Sequence, residues 1–119
     1  MNKIYYLASC DTCRKIIKTL PQGHNLIFHD IKQDPITEEQ LDEMHQLSGS
    51  YEALFSKKAQ LYKSLGLKDK ALTEADYKKY ILEHYTFLKR PVIVVGEALF
   101  IGSAKSTIEN LKAHLEAEH

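Results

Sequence analysis

Two cysteines, Cys10 and Cys13, are the only cysteines in the chain and are separated by two residues. This Cys-x-x-Cys spacing is typical of redox pairs and of metal ligands. Cys10 is predicted to lie where a strand ends and a helix begins, and the free N–H groups and the dipole of a helix N-terminus stabilise an anionic thiolate. Arg14 and Lys15 add positive charge next in sequence. We therefore expect Cys10 to be the nucleophile and Cys13, one turn deeper, to be the resolving thiol.

Three other interpretations of the pair stay open at this point. Buried cysteines can act as small hydrophobic residues, which suits Cys13 better than Cys10 in its polar loop. His24 and His29 complete a Cys-x2-Cys-x10-His-x4-His string close to a zinc-finger spacing, although these histidines flank a strand pattern instead of lying on a helix. A four-residue pattern can also arise by chance. The strand-to-helix context favours thiol chemistry over all three, and we expect no metal.

The elements that must position this pair begin with a strand–helix–strand unit. Residues 4–7 form a short apolar run that predicts a buried strand. After Cys10 the apolar residues recur at helical spacing as far as Leu20, and Pro21-Gln22-Gly23 ends that helix. Residues 26–28 predict a second strand parallel to the first, joined to it by a right-handed crossover.

The middle of the chain is polar and helical. Thr37 with Gln40 and Thr73 with Asp76 are two capping-box signatures, each of which predicts the start of a helix. Between them, residues 51–65 predict a further helix, interrupted near 57–58. We expect residues 36–86 to form a helical insertion within a single domain that spans 1–119.

The end of the chain predicts a hairpin and a helix. Residues 91–95 are a nearly continuous β-branched run, Gly96-Glu97 is a turn, and residues 98–101 form the returning strand. Ile108, Leu111 and Leu115 then repeat at helical spacing. The resulting order is β-α-β, a helical insertion and β-β-α. It predicts an α/β protein of the thioredoxin-like class, with a four-stranded mixed sheet and helices on both faces.

Composition limits the classes of partner. The 119 residues carry sixteen basic and sixteen acidic side chains, so no global field attracts nucleic acid or an anionic membrane. The first apolar run is too short for a signal-peptide core, and no run approaches a membrane span. We therefore expect a cytoplasmic protein, and in that compartment a close cysteine pair is typically catalytic, redox-sensing or metal-binding instead of structural.

Two segments at opposite ends of the chain resemble the ArsC/Spx family, which contains glutaredoxin-coupled arsenate reductases and Spx-type transcriptional regulators. They are CDTCRK at 10–15 and FLKRPVIV at 87–94. An Asp-Ile-x-x-x-Pro turn at 30–35 lies between them, and the likeness runs over nearly the whole chain. The resemblance implies a thioredoxin-like fold, a redox-active cysteine pair and no bound cofactor, with glutathione or glutaredoxin as the electron donor.

The resemblance also assigns roles to site residues. It implies that Pro91 is the cis-proline that faces the cysteine loop and that Arg90 faces Cys10, where it would stabilise the thiolate and bind an oxyanion. It further places Thr12 and Arg14 among the residues that would bind the substrate.

The chain departs from the arsenate reductases in its basic residues. It contains only two arginines, whereas those enzymes surround the reactive cysteine with several. The segment 56–58 (SKK) stands where the insertion would supply another arginine, and 100–102 (FIG) where the hairpin would. Lysine supplies a point charge without the bidentate fork of arginine. The second cysteine and a glycine at Gly49 are instead features of Spx proteins.

Two functions follow as expectations. The first is a thiol–disulfide oxidoreductase of the arsenate-reductase type, in which Cys10 attacks a small oxyanion or a disulfide, Cys13 resolves the adduct, and glutaredoxin or thioredoxin is a partner. The second is an Spx-like regulator that binds the RNA polymerase α subunit through a Cys10–Cys13 disulfide switch. Neither function requires direct contact with nucleic acid or a membrane.

Overall fold

A computed structural model describes residues 2–117 of the chain. The strands are β1 (Asn2–Tyr6), β2 (Ile27–Asp30), β3 (Val92–Val95) and β4 (Ala98–Ile101). The α-helices are α1 (Asp11–Thr19), α2 (Glu38–Ser48), α3 (Gln60–Ser64), α4 (Glu74–Glu83) and α5 (Lys105–Ala117). Single 3-10 turns lie at Glu52–Leu54, Leu67–Asp69 and Tyr85–Phe87.

The described residues divide into two compact units. Unit 1 contains the chain up to Asp34 and the chain from Arg90 onward, and unit 2 is Pro35–Lys89. All four strands lie in unit 1, and the helices of the expected insertion lie in unit 2. That residues 1–119 form one domain stays a prediction, and both ends of that range lie outside the described residues.

The sheet of unit 1 has the strand order β2-β1-β3-β4. β1 pairs with β2 in parallel, whereas β1–β3 and β3–β4 are antiparallel. This confirms the predicted four-stranded mixed sheet. The first strand begins two residues earlier than expected and ends at Tyr6, while β2 runs two residues further, to Asp30.

One face of the sheet carries the core of unit 1. Apolar side chains from β1 and β3 pack with the C-terminal half of α5, and Ile17 and Leu20 in and after α1 border this cluster. Its buried members are Ile4, Leu26, Ile93, Val95, Leu111 and Leu115. Because α1 is held against the sheet along this apolar stripe, its first turn is fixed relative to the end of β1. That turn carries the two cysteines.

Unit 2 confirms both predicted capping boxes. The Thr37 hydroxyl accepts from the Gln40 amide and the Gln40 side chain accepts from the Thr37 amide, and Thr73 with Asp76 repeats the arrangement at the start of α4. The Glu74 carboxylate in that first turn also accepts hydrogen bonds from the Tyr51 and Glu52 amides, at 2.8 and 3.0 Å. It thereby ties the 3-10 turn at 52–54 to α4.

The helix expected at 51–65 is broken over a wider stretch than the predicted interruption near 57–58. Residues 54–56 run extended beside 87–89: the Ser56 amide donates to the Phe87 carbonyl and the Lys89 amide to the Leu54 carbonyl. These non-local bonds and the burial of Phe55 override the helical pattern, leaving one 3-10 turn before the break and the five-residue α3 after it. Among residues 2–117, no helix is long and apolar enough to cross a membrane.

Candidate active site

Cys10 lies in the N-cap position of α1, at the end of the loop that follows β1. Its amide donates to the Leu7 carbonyl at 2.9 Å, and its own carbonyl accepts the first helical hydrogen bond, from Arg14, at 3.1 Å. Its backbone is extended, so its side chain lies beside the free amides of the first turn. The structure thus confirms the predicted position of Cys10 at the junction of strand and helix.

The surroundings of Cys10 favour its thiolate. Partial burial by itself raises the pKa of the thiol. Hydrogen bonds from the Cys13 amide, the Cys13 thiol and the Thr12 amide, together with the positive charge of Arg90, outweigh that burial and lower the pKa below its ordinary value. Cys10 remains partly exposed, so a substrate can reach its sulfur.

Cys13 has the opposite character. Its side chain is fully buried, and this burial is the largest cause that raises its pKa, to about 11. The nearby Cys10 sulfur raises the pKa further, whereas a hydrogen bond with the Leu7 backbone and the charge of Arg90 act in the other direction. Cys13 therefore holds its proton at neutral pH and donates a hydrogen bond to the Cys10 sulfur. Both cysteines are free thiols in the structure.

Arg90 reaches the cysteines because of the strand register. β3 runs antiparallel to β1, with Val92 opposite Tyr5, so the start of β3 lies beside the end of β1 from which the cysteine loop leaves. The Arg90–Pro91 peptide bond is cis, as the family resemblance implies, and the Pro91 carbonyl accepts from the Gly102 amide at 2.9 Å. The charge of Arg90 acts on both thiols.

Two further predicted residues lie in the first turn of α1. Thr12 contributes its backbone amide to the Cys10 sulfur. The Arg14 guanidinium pairs with the Asp11 carboxylate, one turn earlier on the exposed face of the helix. This pairing offsets the charge that Arg14 was expected to bring to the site. Arg90 is thus the arginine whose charge acts on the thiols.

The histidines of the zinc interpretation have other partners. The His24 Nδ1 accepts from the Leu26 amide at 2.9 Å, and the buried His29 ring lies 2.6 Å from the Asp34 carbonyl through its Nε2. Among the residues that the structure describes, no group of three or more His, Cys, Asp or Glu side chains is arranged to hold a metal ion.

Lys57, in the segment 56–58 (SKK), forms an ion pair within unit 2. Its Nζ lies 2.9 Å from a Glu52 carboxylate oxygen, which also accepts from the Tyr77 hydroxyl at 3.1 Å. Glu52 therefore offsets the charge of Lys57 within unit 2.

Sequence reasoning missed two contacts that affect the pKa values of the two thiols. These are the hydrogen bond between Cys13 and the Leu7 backbone and the direct hydrogen bond between the two side chains. A backbone contact has no residue-type signal, so the identity of Leu7 could not have revealed the first. The second follows from the i,i+3 spacing once the helix is known to begin at Asp11.

Comparisons with known proteins agree with this fold. The model of the ArsC family matches residues 5–111. The chain is similar to an arsenate reductase from Acidiphilium multivorum, at 25% identity over 76% of the chain and 66% of that protein. The match thus spans just under two thirds of the length of that reductase. It is also similar to the global transcriptional regulator Spx 1 of Bacillus cereus, at 26% identity over 86% of the chain and 79% of the regulator.

Solved structures show the same fold. An ArsC family related protein from Bacteroides fragilis superposes with a TM-score of 0.79 at 26% identity, covering 93% of this chain and 97% of that one. The arsenate reductase from Vibrio cholerae superposes with a TM-score of 0.76 at 23% identity, covering 92% and 94%. The chain therefore has the thioredoxin-like fold of these proteins.

Proposed function

Because the chain belongs to the ArsC family, we propose that it is a thiol–disulfide oxidoreductase resembling the glutaredoxin-coupled arsenate reductases. In this proposal Cys10 is the nucleophile and Cys13 is the resolving thiol. The observation that carries the proposal is the placement of the two thiols: Cys10 lies partly exposed at the N-cap of α1, and Cys13 lies buried three residues later. The lowered pKa of Cys10 and the pKa of about 11 of Cys13 agree with this placement.

The first step uses the acidity of Cys10. Its thiolate attacks one sulfur of a substrate disulfide R–S–S–R′, forms a Cys10–S–S–R bond and releases R′–S⁻. Arg90 and the amides of the first helical turn hold the thiolate before attack and would face an anionic group on the substrate. Cys13 does not attack first, because it is buried, its pKa is about 11, and only the thiolate is the reactive form.

The second step uses the position of Cys13. Once the Cys10 sulfur is bonded to R–S, its negative charge is gone, and the contribution of that charge to the high pKa of Cys13 is removed. Cys13 gives its proton to the released thiolate R′–S⁻ and attacks the Cys10 sulfur, closing the Cys10–Cys13 disulfide and releasing R–S⁻. The substrate disulfide gains two electrons and the two cysteines lose them.

Two external thiols must then reduce the Cys10–Cys13 disulfide, and glutathione or glutaredoxin is the donor of this kind in the cytoplasm, where we place the protein. Arsenate is a second substrate for the same chemistry. Its arsenic(V) would accept the Cys10 sulfur with loss of water, and attack by the second thiol would reduce it to arsenic(III) as the disulfide forms. Arg90 is the cation that would bind this oxyanion.

Parallel assays test the proposal. Purified protein is supplied with glutathione, glutaredoxin and either arsenate or a glutathione mixed disulfide, and NADPH consumption by glutathione reductase reports turnover. We expect turnover above that of glutaredoxin and glutathione alone, with this gain lost in Cys10→Ser and strongly reduced in Cys13→Ser with the mixed disulfide. Turnover of both substrates no higher than that of Cys10→Ser would overturn the proposal.

A second function is favoured by the similarity to Spx 1 and by the contact between the two thiols. In this alternative, the Cys10–Cys13 disulfide changes a surface that binds the RNA polymerase α subunit. Gly49, which caps α2 with a left-handed backbone at φ 77°, is the glycine that resembles the Spx proteins. A pull-down with purified α subunit that retains the oxidised protein and not the reduced protein would support this function. Equal absence of binding in both redox states would exclude it.

A further inference from the structure

β2 is an open edge of the sheet and exposes two adjacent apolar side chains. Ile27 is 62% exposed and Phe28 is 44% exposed, and they are two of the four large hydrophobic residues that are exposed in the described chain. The strand has no lysine, no proline and no bulge, three of the features that protect the edge of a sheet. The opposite edge, β4, has only half-buried side chains. Among the described residues of unit 1, both large apolar side chains that are exposed therefore lie on one strand.

The direction of each backbone group in β2 follows from one hydrogen bond. The Ile31 amide donates to the Tyr6 carbonyl at 3.0 Å, so residue 31 turns its backbone polar groups toward β1. Backbone groups alternate along a strand, so residues 27 and 29 also face β1. The groups of Leu26, Phe28 and Asp30 face away from the sheet.

Two of these outward groups are satisfied within unit 1. The Leu26 amide donates to the His24 Nδ1 at 2.9 Å, and the Asp30 carbonyl accepts from the Asp34 amide at 2.9 Å. Four groups then remain along the edge: the Leu26 carbonyl, both groups of Phe28 and the Asp30 amide. Among the hydrogen bonds of residues 2–117, none engages these four on the outer side.

Each of these four groups would find a hydrogen-bond partner on an antiparallel copy of the same strand. We propose that β2 pairs antiparallel with β2 of a second copy of this chain, about a two-fold axis at Phe28. In that register each Phe28 amide donates to the Phe28 carbonyl of the other copy, and each Asp30 amide donates to the Leu26 carbonyl of the other copy. In this register the Leu26 amide of one copy would lie opposite the Asp30 carbonyl of the other, and both of these groups already have partners within their own copy. This complementarity favours a second copy over an unrelated extended segment.

Side chains and charge agree with this pairing. Directly paired residues in such a ladder have Cα atoms about 5.5 Å apart, so the two Phe28 rings would lie side by side. Each ring is already supported on its own copy by Tyr6, with centroids 5.6 Å apart, and by the stacked His24 ring at 5.9 Å. The chain has zero formal net charge, so two copies do not repel each other through overall charge. The contact is small, and we expect a weak dimer that forms at high protein concentration.

Amide hydrogen exchange on the ¹⁵N-labelled full chain tests the register. Between about 20 µM and about 1 mM protein, a range that suits weak contacts, sedimentation velocity should show a monomer converting to a dimer. The Phe28 and Asp30 amides should then exchange about tenfold more slowly at a dimer fraction of nine tenths. The Ile27 and His29 amides, already bonded to β1, should not change.

Charge variants at Phe28 test the two-fold axis. Phe28→Lys and Phe28→Glu each place like charges directly opposite across the axis, and each should weaken dimerisation at least about tenfold. An equimolar mixture of the two variants should restore a dimer. Leu65→Lys, at an apolar residue of unit 2 that is 49% exposed, is the matched control and should dimerise like the unmodified chain.

A chain that stays monomeric at every concentration would overturn the proposal. So would a dimer in which the Phe28 and Asp30 amides keep their exchange rates, or one that Phe28→Lys leaves at full strength. If either variant does not fold, as judged by circular dichroism, amide exchange in the unmodified chain decides alone. These outcomes do not depend on the redox activity, so they are separate from a failure of the proposed function.

Discussion

The two cysteines should differ sharply in their rate of alkylation. The perturbation is a brief pulse of iodoacetamide on the reduced protein at a series of pH values from about 5 to about 11, a span that brackets ordinary thiol pKa values. Alkylation requires the thiolate, so each cysteine begins to react as the pH approaches its own pKa. The pKa of Cys10 is lowered, and its reaction should begin below the pH at which an ordinary thiol reacts.

The magnitude for Cys13 follows from its pKa of about 11. At pH 7 a thiol with that pKa is ionised to roughly one part in ten thousand, whereas an ordinary thiol with a pKa of about 8.5 is ionised to about 3%. Cys13 should therefore react on the order of 300-fold more slowly than an ordinary thiol at neutral pH. Its burial slows the approach of the reagent further.

Mass spectrometry of the peptides that contain each cysteine gives the two rates. Alkylation of Cys10 removes the charge beside Cys13, so Cys10→Ser is measured in parallel. In that variant Cys13 should react somewhat faster but still far more slowly than a free thiol, because burial is the largest cause of its raised pKa. Similar rates for the two cysteines at pH 7, or a Cys10 that reacts only above pH 8.5 like a free thiol, would contradict the assigned order of acidity.

Three substitutions extend the tests to the rest of the chain. Arg90→Gln should slow Cys10 alkylation several-fold near pH 6, because loss of the cation raises the pKa of Cys10. Arg90→Lys should retain most of the rate. Equal rates in the unmodified chain and in both variants would contradict the effect of the Arg90 charge on Cys10. Glu74→Gln should lower the urea midpoint, because a neutral amide accepts more weakly from the Tyr51 and Glu52 amides, and Glu43→Gln is the control on an exposed helix face. Leu111→Ala should lower the free energy of unfolding by about 2–5 kcal/mol in urea denaturation, since Leu111 is fully buried, whereas Leu65→Ala should change it by less than about 0.5 kcal/mol.

The elements that position the site were predictable because short-range physics determines them. Hydrophobic spacing placed α1 directly after Cys10, and the two capping boxes began α2 and α4 at the predicted residues. The β-branched run at 92–95 and its turn produced the hairpin. Each of these features depends on residues within a few positions of one another, so a single sequence is sufficient to reveal it.

What could not be predicted depends on contacts between distant parts of the chain. The helix expected at 51–65, with an interruption near 57–58, is broken already after Leu54 because residues 54–56 pair with residues 87–89, about thirty positions later. The acidity of Cys10 depends on Arg90 as well as on its own helix turn, and only the β1–β3 register brings that arginine to it. The Asp11 carboxylate pairs with Arg14, although the sequence alone indicated that this arginine would serve the site.

The roles of the two cysteines are tested most directly by the intact mass of the reduced protein after exposure to oxidised glutathione. The unmodified chain should lose two hydrogens and carry no glutathione, because Cys13 displaces the glutathione that first bonds to Cys10. Cys13→Ala should instead retain one glutathione, located on Cys10 by peptide mapping. Glutathione retained on the unmodified chain, or bonded to Cys13, would contradict the assignment of Cys10 as nucleophile and Cys13 as resolving thiol.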